Sequence, residues 1–224
     1  MSLKHRAALP QKEPNQPTEA HSGALPPSVS RRIFLQYAVA GAIAAGVIPA
    51  RSHFSSALAA EPEGKRMLIL YFSHSGNTRK IAEQIHTRVG GDLIELNTVS
   101  PYPRDYDAVV EQAKQEQRNN ARPQISTEIP NLAAYDTVFI GFPNWWGTMP
   151  MPFFTLLETY DLGDKTVLPF CTHGGSRLGR AEDDLKRLCP RAKILKGFEV
   201  SGSRACGAQG AVDAWLRKAG LLAG

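Results

Sequence analysis

The chain has only three cysteines among its 224 residues, and no two of them form a C-x-x-C pair. A disulfide framework, a thioredoxin-like redox motif and a metal site are therefore not expected. No run of Lys or Arg is long enough to follow a phosphate backbone, although the net charge is +5. Most of that charge lies in residues 1–60, which hold six basic and two acidic residues. We therefore expect no nucleic-acid partner.

The first sixty residues lack the features of a folded domain. Residues 1–29 are rich in Pro, Ser, Gln and Ala without apolar periodicity, which predicts a disordered leader. Residues 30–59 contain Arg31-Arg32, a weakly apolar stretch of about 18 residues and an Ala57-Leu58-Ala59 site. This segment resembles a twin-arginine signal peptide, which implies export to the periplasm and cleavage after Ala59. An uncleaved membrane anchor is the alternative, although so short a stretch is marginal for about 30 Å of hydrocarbon.

Residues 60–224 alternate short apolar runs with longer amphipathic stretches. Strands are predicted at 67–72, 93–96, 137–141, 166–171 and 194–200, and helices at 77–89, 105–119, 153–160, 177–188 and 210–219. Five such alternations in one domain predict an α/β fold, a three-layer, doubly wound, five-stranded parallel sheet. Ligands of such sheets bind beyond the carboxyl ends of the strands. The loops after strands one, three and four are therefore the candidate site.

The first loop reads S-H-S-G-N-T at residues 73–78 and leads into a helix. Ser73, Ser75 and Thr78 can donate hydrogen bonds, while Gly76 lets a ligand approach the backbone and the helix start adds partial positive charge. These properties are typical of a phosphate-binding loop. The loop has no cysteine and matches neither G-x-x-x-x-G-K-[ST] nor G-x-G-x-x-G, which excludes cysteine-phosphatase chemistry, P-loop hydrolysis and Rossmann NAD binding. An ordinary helix cap is the alternative.

Two adjacent tryptophans distinguish the second loop, F-P-N-W-W-G-T-M-P at residues 142–150. Exposing both indoles to water is unfavourable, so we expect one to pack on the domain and the pair to favour stacking on a planar ligand. The third loop, T-H-G-G-S at residues 172–176, is followed by Arg177, Gly179 and Arg180. Its two glycines expose backbone N–H groups, and His173 is either a general acid or a hydrogen-bonding bystander.

Together the three loops resemble those of flavodoxin-like proteins, over residues 66 to about 220. The resemblance implies the flavodoxin fold, with strand order 2-1-3-4-5, and non-covalently bound FMN as cofactor. It assigns cofactor-binding residues by position. The phosphate would contact Ser73, His74, Ser75, Gly76, Asn77 and Thr78. One side of the isoalloxazine ring would be flanked by Pro143, Asn144, Trp145, Trp146, Gly147 and Thr148. The pyrimidine edge of the ring would be reached by Thr172, His173, Gly174, Gly175, Ser176 and Gly179.

The same resemblance leaves three functions open. An FMN-dependent reductase that passes electrons from NAD(P)H or another donor to a quinone-like acceptor is favoured, because Arg177 and Arg180 follow the ring loop in a nearly neutral domain. A one-electron carrier flavodoxin serving a periplasmic or membrane partner is the first alternative, because nicotinamides are scarce in the periplasm. A binding module without redox chemistry is the second. Many reductases of this fold form homodimers.

A few residues outside the loops also carry expectations. If a disulfide forms, Cys171 and Cys206 are the expected pair, because both follow predicted strands towards the ligand end of the sheet. The alternative is that Cys171 is a small buried apolar residue. Tyr102 and Tyr106 are interpreted as a helix entry, and Trp215 as the anchor of the last helix on the sheet.

Overall fold

The structure of the protein, a computed structural model, describes residues 66–223. The predicted leader, the twin-arginine signal and the cleavage site after Ala59 lie outside these residues. The described part contains six strands: β1 (Met67–Tyr71), β2 (Asp92–Glu95), β3 (Thr137–Pro143), β4 (Thr166–His173), β5 (Lys193–Ile194) and β6 (Phe198–Ser201). Its α-helices are α1 (Asn77–Val89), α2 (Tyr106–Arg118), α3 (Met151–Thr159), α4 (Ala181–Leu188) and α5 (Gln209–Lys218). Short 3-10 helices span Leu132–Ala134 and Gly202–Gly207.

All strand pairs are parallel, and the order β2-β1-β3-β4-β5 confirms the predicted fold class. Alternate residues of each central strand face opposite sides of the sheet. Leu68 and Leu70 of β1 belong to the apolar cluster that includes α3 and α4. Ile69, between them, belongs to the cluster that includes α1 and α5. The sheet is therefore covered on both faces, which explains the continuous apolar strand sequences.

Helix α1 shows how closely local sequence sets these elements. It spans the predicted residues 77–89, with the buried residues Ile81, Ala82 and Ile85 at helical spacing. Gly76 precedes it in the left-handed conformation, at φ 83°. Gly90 ends the helix at φ 66°, a backbone angle that residues other than glycine rarely adopt.

The fifth strand differs from the prediction, because it is split into β5 and β6, which both pair with β4. The break at residues 195–197 lies beside Pro169 of β4. A proline has no N–H to donate, so the ladder on the side of β5 and β6 is interrupted there, while the register with β3 continues past Pro169. Gly197 also packs against Pro169 and Leu178 so closely that a side chain there would force them to shift.

Helix α4 is shorter than predicted, since it begins at Ala181 and not at Arg177. Arg177 and Gly179 both have left-handed backbone angles, φ 54° and 57°, which a right-handed helix cannot contain. The last helix agrees with its prediction. The Trp215 ring lies 5.8 Å from Phe139, and its Nε1 donates to Lys196 O at 2.8 Å.

All three cysteines are free, so the pairing of Cys171 with Cys206 is not formed. Cys171 is fully buried in β4, whereas Cys206 is exposed. Burial raises the pKa of Cys171 to about 12 and that of Cys189 to about 11. Both buried thiols therefore stay protonated and act as small apolar core residues. No helix within residues 66–223 has the length and apolar character to cross a bilayer.

We expect Gly141→Ala to lower the free energy of unfolding by about 1–3 kcal/mol, the usual cost of overpacking a core. Gly141 lies opposite Phe170 in the β3–β4 register, and an added Cβ would overlap the Phe170 ring. That ring is fully buried, so it has no free space to move into. Gly210→Ala is the matched control, because its Cβ meets no atom within 4 Å and α5 gains helix propensity. Equal urea-unfolding midpoints for the two variants would contradict this description of the core.

Candidate functional site

The three predicted loops meet at the carboxyl ends of β1, β3 and β4, around a cavity of about 710 Å³. Ten of the predicted binding residues line this cavity. They are His74, Ser75 and Asn77 from the first loop, Pro143, Asn144, Trp145 and Trp146 from the second, and Thr172, His173 and Gly174 from the third. The other eight lie in the same loops but do not line it: Ser73, Gly76, Thr78, Gly147, Thr148, Gly175, Ser176 and Gly179.

The first loop presents polar groups without partners of their own. Gly76 is the N-cap of α1, and no side chain caps the helix, which differs from the ordinary cap considered as an alternative. The first-turn N–H groups of α1 therefore remain available to an anion. Ser73 Oγ is buried and has no hydrogen-bond partner, which among the described residues is true of only one other buried side-chain atom. A buried hydroxyl without a hydrogen-bond partner is unfavourable unless a ligand supplies that partner.

Two other residues of the first loop hold it in place. The Thr78 and Thr172 hydroxyls are hydrogen-bonded at 2.8 Å and buried, so they join the first loop to the third. His74 Nε2 lies 2.7 Å from the carbonyl oxygen of Pro103, which makes that nitrogen the donor. The His74 ring also meets the edge of Trp145 at 6.1 Å.

The second loop is a tight hairpin with a strained centre. Trp145 and Thr148 exchange both backbone hydrogen bonds, at 2.9 and 3.2 Å, around Trp146 and Gly147. Both central residues have positive φ, 53° and 87°, as in a type I′ turn. Glycine adopts this conformation readily, whereas for a tryptophan it is strained.

One of the two tryptophans packs on the domain, as the sequence predicted. Trp145 packs edge-on against Phe72 and Tyr102, at 5.3 and 5.0 Å. Trp146 is 46% exposed and its Nε1 donates to Val110 O of α2 at 3.0 Å. One indole is therefore part of the domain, while the other borders the cavity, partly exposed, with Lys114 Nζ 5.3 Å from its ring centroid.

Asn144 fastens the second loop to the third. Its Oδ1 accepts from Gly147 N at 2.9 Å, and its Nδ2 donates to Arg177 O at 2.8 Å. Gly179 approaches the Gly147 carbonyl so closely that a Cβ could not fit between them, and Arg180 N donates to that carbonyl at 2.8 Å. Gly179 thus packs against the second loop without lining the cavity.

Thr148 fixes the far end of the hairpin. Its hydroxyl is fully buried and donates to Asp184 Oδ2 at 2.7 Å. Asp184 is itself buried and forms ion pairs with Arg180 and Arg187, at 3.2 and 3.1 Å. Charged partners on both sides stabilise the carboxylate, so this threonine contributes to the position of the loop without touching the cavity.

In the third loop, His173 is held by two hydrogen bonds. Its Nε2 contacts Glu199 Oε2, and its Nδ1 lies 2.9 Å from Gly175 N. The Gly175 N–H is therefore already used within the protein, contrary to the expectation that both glycine N–H groups are free for a ligand. The Gly174 backbone remains at the cavity wall.

Sequence reasoning missed two walls of the cavity. Helix α2 contributes one face, formed by Tyr106, Val109, Val110 and Ala113. Their helical spacing is indistinguishable from that of a core stripe. Tyr106 begins α2, as the interpretation of a helix entry expected, and it is 75% exposed, but the sequence did not indicate that it also lines the cavity. The end of β6 and the start of the 3-10 helix that follows it contribute Ser201, Gly202 and Ser203. The rule that ligands bind at strand carboxyl ends could have found these residues.

The electrostatics differ from the sequence expectation. Arg177 lies 3.7 Å from Glu199, and Arg180 lies 3.2 Å from Asp184, so both guanidinium groups are paired with carboxylates. Neither of them lines the cavity. Within residues 66–223 there is also no cluster of three or more His, Cys, Asp or Glu residues that could ligate a metal ion.

Comparison with known proteins places this geometry in a family. The flavodoxin family model matches residues 66–219. A candidate flavoprotein from Bacteroides eggerthii is 32% identical, with a TM-score of 0.60 over 69% of this chain and 98% of that chain. A second one, from Bacteroides uniformis, is 30% identical, with a TM-score of 0.62 over 69% and 99%. No curated protein matches the chain.

A third solved structure carries a named ligand. It is a flavoprotein from Lactobacillus acidophilus in complex with FMN, 25% identical, with a TM-score of 0.53 over 68% of this chain and 99% of that chain. The family match spans more than half of the chain. It ends one residue after α5, and it contains all three loops that line the cavity. This chain therefore belongs to the flavodoxin family.

Proposed function

We propose that the cavity binds FMN and that the protein is an FMN-dependent oxidoreductase, which passes electrons from NAD(P)H or another donor to a quinone-like acceptor. The observation that supports FMN binding is the pair of unsatisfied polar features at the first loop. Ser73 Oγ is buried without a partner, and the first turn of α1 is not capped by a side chain. A phosphate monoester supplies the acceptors that both features lack.

The remainder of the cavity suits a planar ring. Trp146 offers an exposed aromatic surface, and Gly174 offers backbone at the opposite loop. A Lactobacillus relative was solved in complex with FMN, which supports the same cofactor here. When bound, FMN supplies the hydride- and electron-transfer chemistry. The chain's own residues would hold the phosphate, orient the ring and limit the access of water.

The reductase proposal rests on the shape of the site. The apolar side chains of Val109, Val110 and Ala113 extend the cavity beyond the three loops, along α2. Tyr106 stands at the open end of that wall and is largely exposed. A second aromatic molecule, such as a nicotinamide or a quinone, could pack there beside the flavin.

A specific observation favours the carrier as second candidate. Arg177 and Arg180 are paired with carboxylates, so they do not place a bare positive charge beside the ring. Without such a charge, the electrostatic preference for an anionic reduced flavin is weaker. A weaker preference for the anionic reduced flavin lowers the reduction potential of the flavin. A low reduction potential suits a carrier that transfers electrons to a protein partner.

We expect Ser73→Ala to weaken FMN binding by about 10- to 100-fold, because one hydrogen bond to a charged group contributes about 1.5–3 kcal/mol. The same variant should bind riboflavin with unchanged affinity, since riboflavin has no phosphate. Flavin fluorescence quenching measures both dissociation constants. Ser126→Ala, at an exposed position outside the cavity, is the matched control.

The two ligands also separate a local effect from a loss of structure. If Ser73→Ala weakened FMN and riboflavin equally, the hydroxyl would not be a phosphate contact. If neither flavin bound the unchanged protein, the proposed function itself would be wrong. Removing an unpartnered buried hydroxyl should leave the stability of the flavin-free protein unchanged or slightly higher.

Anaerobic titration of the FMN-loaded protein tests the reductase against the carrier. We expect NADPH or NADH to bleach the yellow flavin absorbance directly, because the α2 wall leaves room for the nicotinamide. Dithionite serves as the control that the flavin is reducible. If neither nicotinamide reacts while dithionite reduces the flavin in two separate one-electron steps, the carrier function is supported and NAD(P)H as the electron donor is wrong.

We also propose that the protein is exported by the twin-arginine route and acts in the periplasm. In a bacterium with that transporter, mass spectrometry of the periplasmic protein should give an N-terminus at Ala60. Replacing Arg31 and Arg32 together by Lys should keep the protein in the cytoplasm. Wild-type protein that stays cytoplasmic would contradict this proposal. The electron acceptor is then a small molecule or a protein of the periplasm. As part of the reductase proposal, we also propose that the protein forms a homodimer.

A further inference from the structure

Glu199 is a charged residue of β6 that sequence reasoning did not single out. In the parallel register it lies opposite Cys171, two residues before His173 along β4. Its carboxylate reaches the His173 ring, whose side chain is only 7% exposed. Glu199 does not line the cavity, whereas His173 does. Any effect of this carboxylate on a ligand must therefore pass through the histidine.

The two hydrogen bonds of His173 determine which nitrogen carries the proton. The Gly175 N–H can only donate, so Nδ1, 2.9 Å away, must accept and is unprotonated. The proton of the neutral ring then lies on Nε2, which donates to the Glu199 carboxylate. An ionised carboxylate can only accept, so it excludes the opposite tautomer. Both partners select the same form.

This tautomer matters for the shape of the third loop. Gly175 has a φ of 139°, a backbone angle that L side chains rarely adopt. Its N–H is held by His173, while the neighbouring Gly174 lines the cavity. If Nδ1 carried a proton, two donors would face each other and the loop would have to change. The conformation of Gly174 at the cavity thus depends on an acceptor at Nδ1.

We propose that Glu199 is a positioning residue, which fixes the His173 tautomer and through it holds the Thr172–Ser176 loop in the conformation that borders the cavity. Two charged or titratable groups lie next to this pair. Arg177 lies 3.7 Å from the other Glu199 oxygen and is largely exposed. Cys171, opposite Glu199 in the register, is buried and protonated, because burial raises its pKa to about 12. Neither of them competes for the bond between Glu199 and Nε2.

The first arm of the test needs no flavin. In the flavin-free full-length protein at about pH 8.5, where an ordinary imidazole is neutral, ¹H–¹⁵N NMR of the histidine rings reports each tautomer. We expect His173 to carry its proton on Nε2 in the wild type and in Glu199→Gln, whose side-chain oxygen can still accept. Glu199→Leu should give a mixture of tautomers and a shifted Gly175 amide signal. A proton on Nδ1 in the wild type, or an unchanged Glu199→Leu spectrum, would overturn the proposal.

The second arm separates the two nitrogens of the ring, and it rests on the proposed FMN binding. His173→Asn keeps an acceptor near the Nδ1 position but cannot reach Glu199, whereas His173→Gln keeps a donor near Nε2 but loses the acceptor for Gly175. We expect Glu199→Gln to bind FMN within about 3-fold of the wild type, and Glu199→Leu to bind it at least about 10-fold more weakly, or about 1.4 kcal/mol. Because His173 itself lines the cavity, its two variants are compared with each other, and His173→Asn should bind FMN at least about 10-fold more tightly than His173→Gln.

This loss should be the same for riboflavin as for FMN, because the segment from His173 to Gly175 is expected to contact the ring and not the phosphate. Equal affinities for His173→Asn and His173→Gln would overturn the proposal. Thermal unfolding of each variant identifies one that has merely lost its fold, and the two conservative variants keep the test decisive in that case. If the wild type bound no flavin, the NMR arm alone would decide the role of Glu199, while the proposed function would fail.

Discussion

The parallel pairing of β3 with β4 determines the position of almost every part of the cavity. Their register runs without interruption from Thr137 opposite Thr166 to Pro143 opposite Thr172. Because it continues to the last residues of both strands, the second and third loops leave the sheet side by side. The Asn144 N–H extends the ladder by one more bond, to Thr172 O at 2.8 Å. The first loop joins them through the hydroxyl pair of Thr78 and Thr172.

Once the loops leave the sheet, polar contacts within the protein keep their shape. Asn144 joins the hairpin of the second loop to the backbone at Arg177, and Asp184 accepts a hydrogen bond from the hydroxyl of Thr148 in the same hairpin. These bonds are made before any ligand arrives, so the conformational entropy of ordering the loops is already lost in the folded protein. A flavin would meet a site that is largely formed, with the Ser73 hydroxyl as the group still without a partner.

Charge at this site is distributed in pairs, not as a single-signed field. Arg177 and Arg180 each face a carboxylate, and Glu199 also faces the His173 ring. The carboxylates compensate the basic residues that follow the third loop in sequence, and a count of charges along the chain cannot show this. Shape and hydrogen bonding therefore distinguish the reductase from the carrier better than net charge does, and the wall formed by α2 is the feature that bears on this choice.

The sequence alone determined the elements that depend on neighbouring residues. The apolar runs gave the central strands and the spacing of Ile81 and Ile85 gave α1, because these signals are local. The polar first loop likewise led to the hypothesis of a phosphate-binding loop. Tertiary structure decided the rest. Three features depend on segments that are separate in the chain: the break beside Pro169, the start of α4 after left-handed residues, and the contact of His173 with Glu199. Hydrogen bonds and packing between distant residues depend on the sheet register, which periodicity cannot specify, so only the folded chain shows which groups they satisfy.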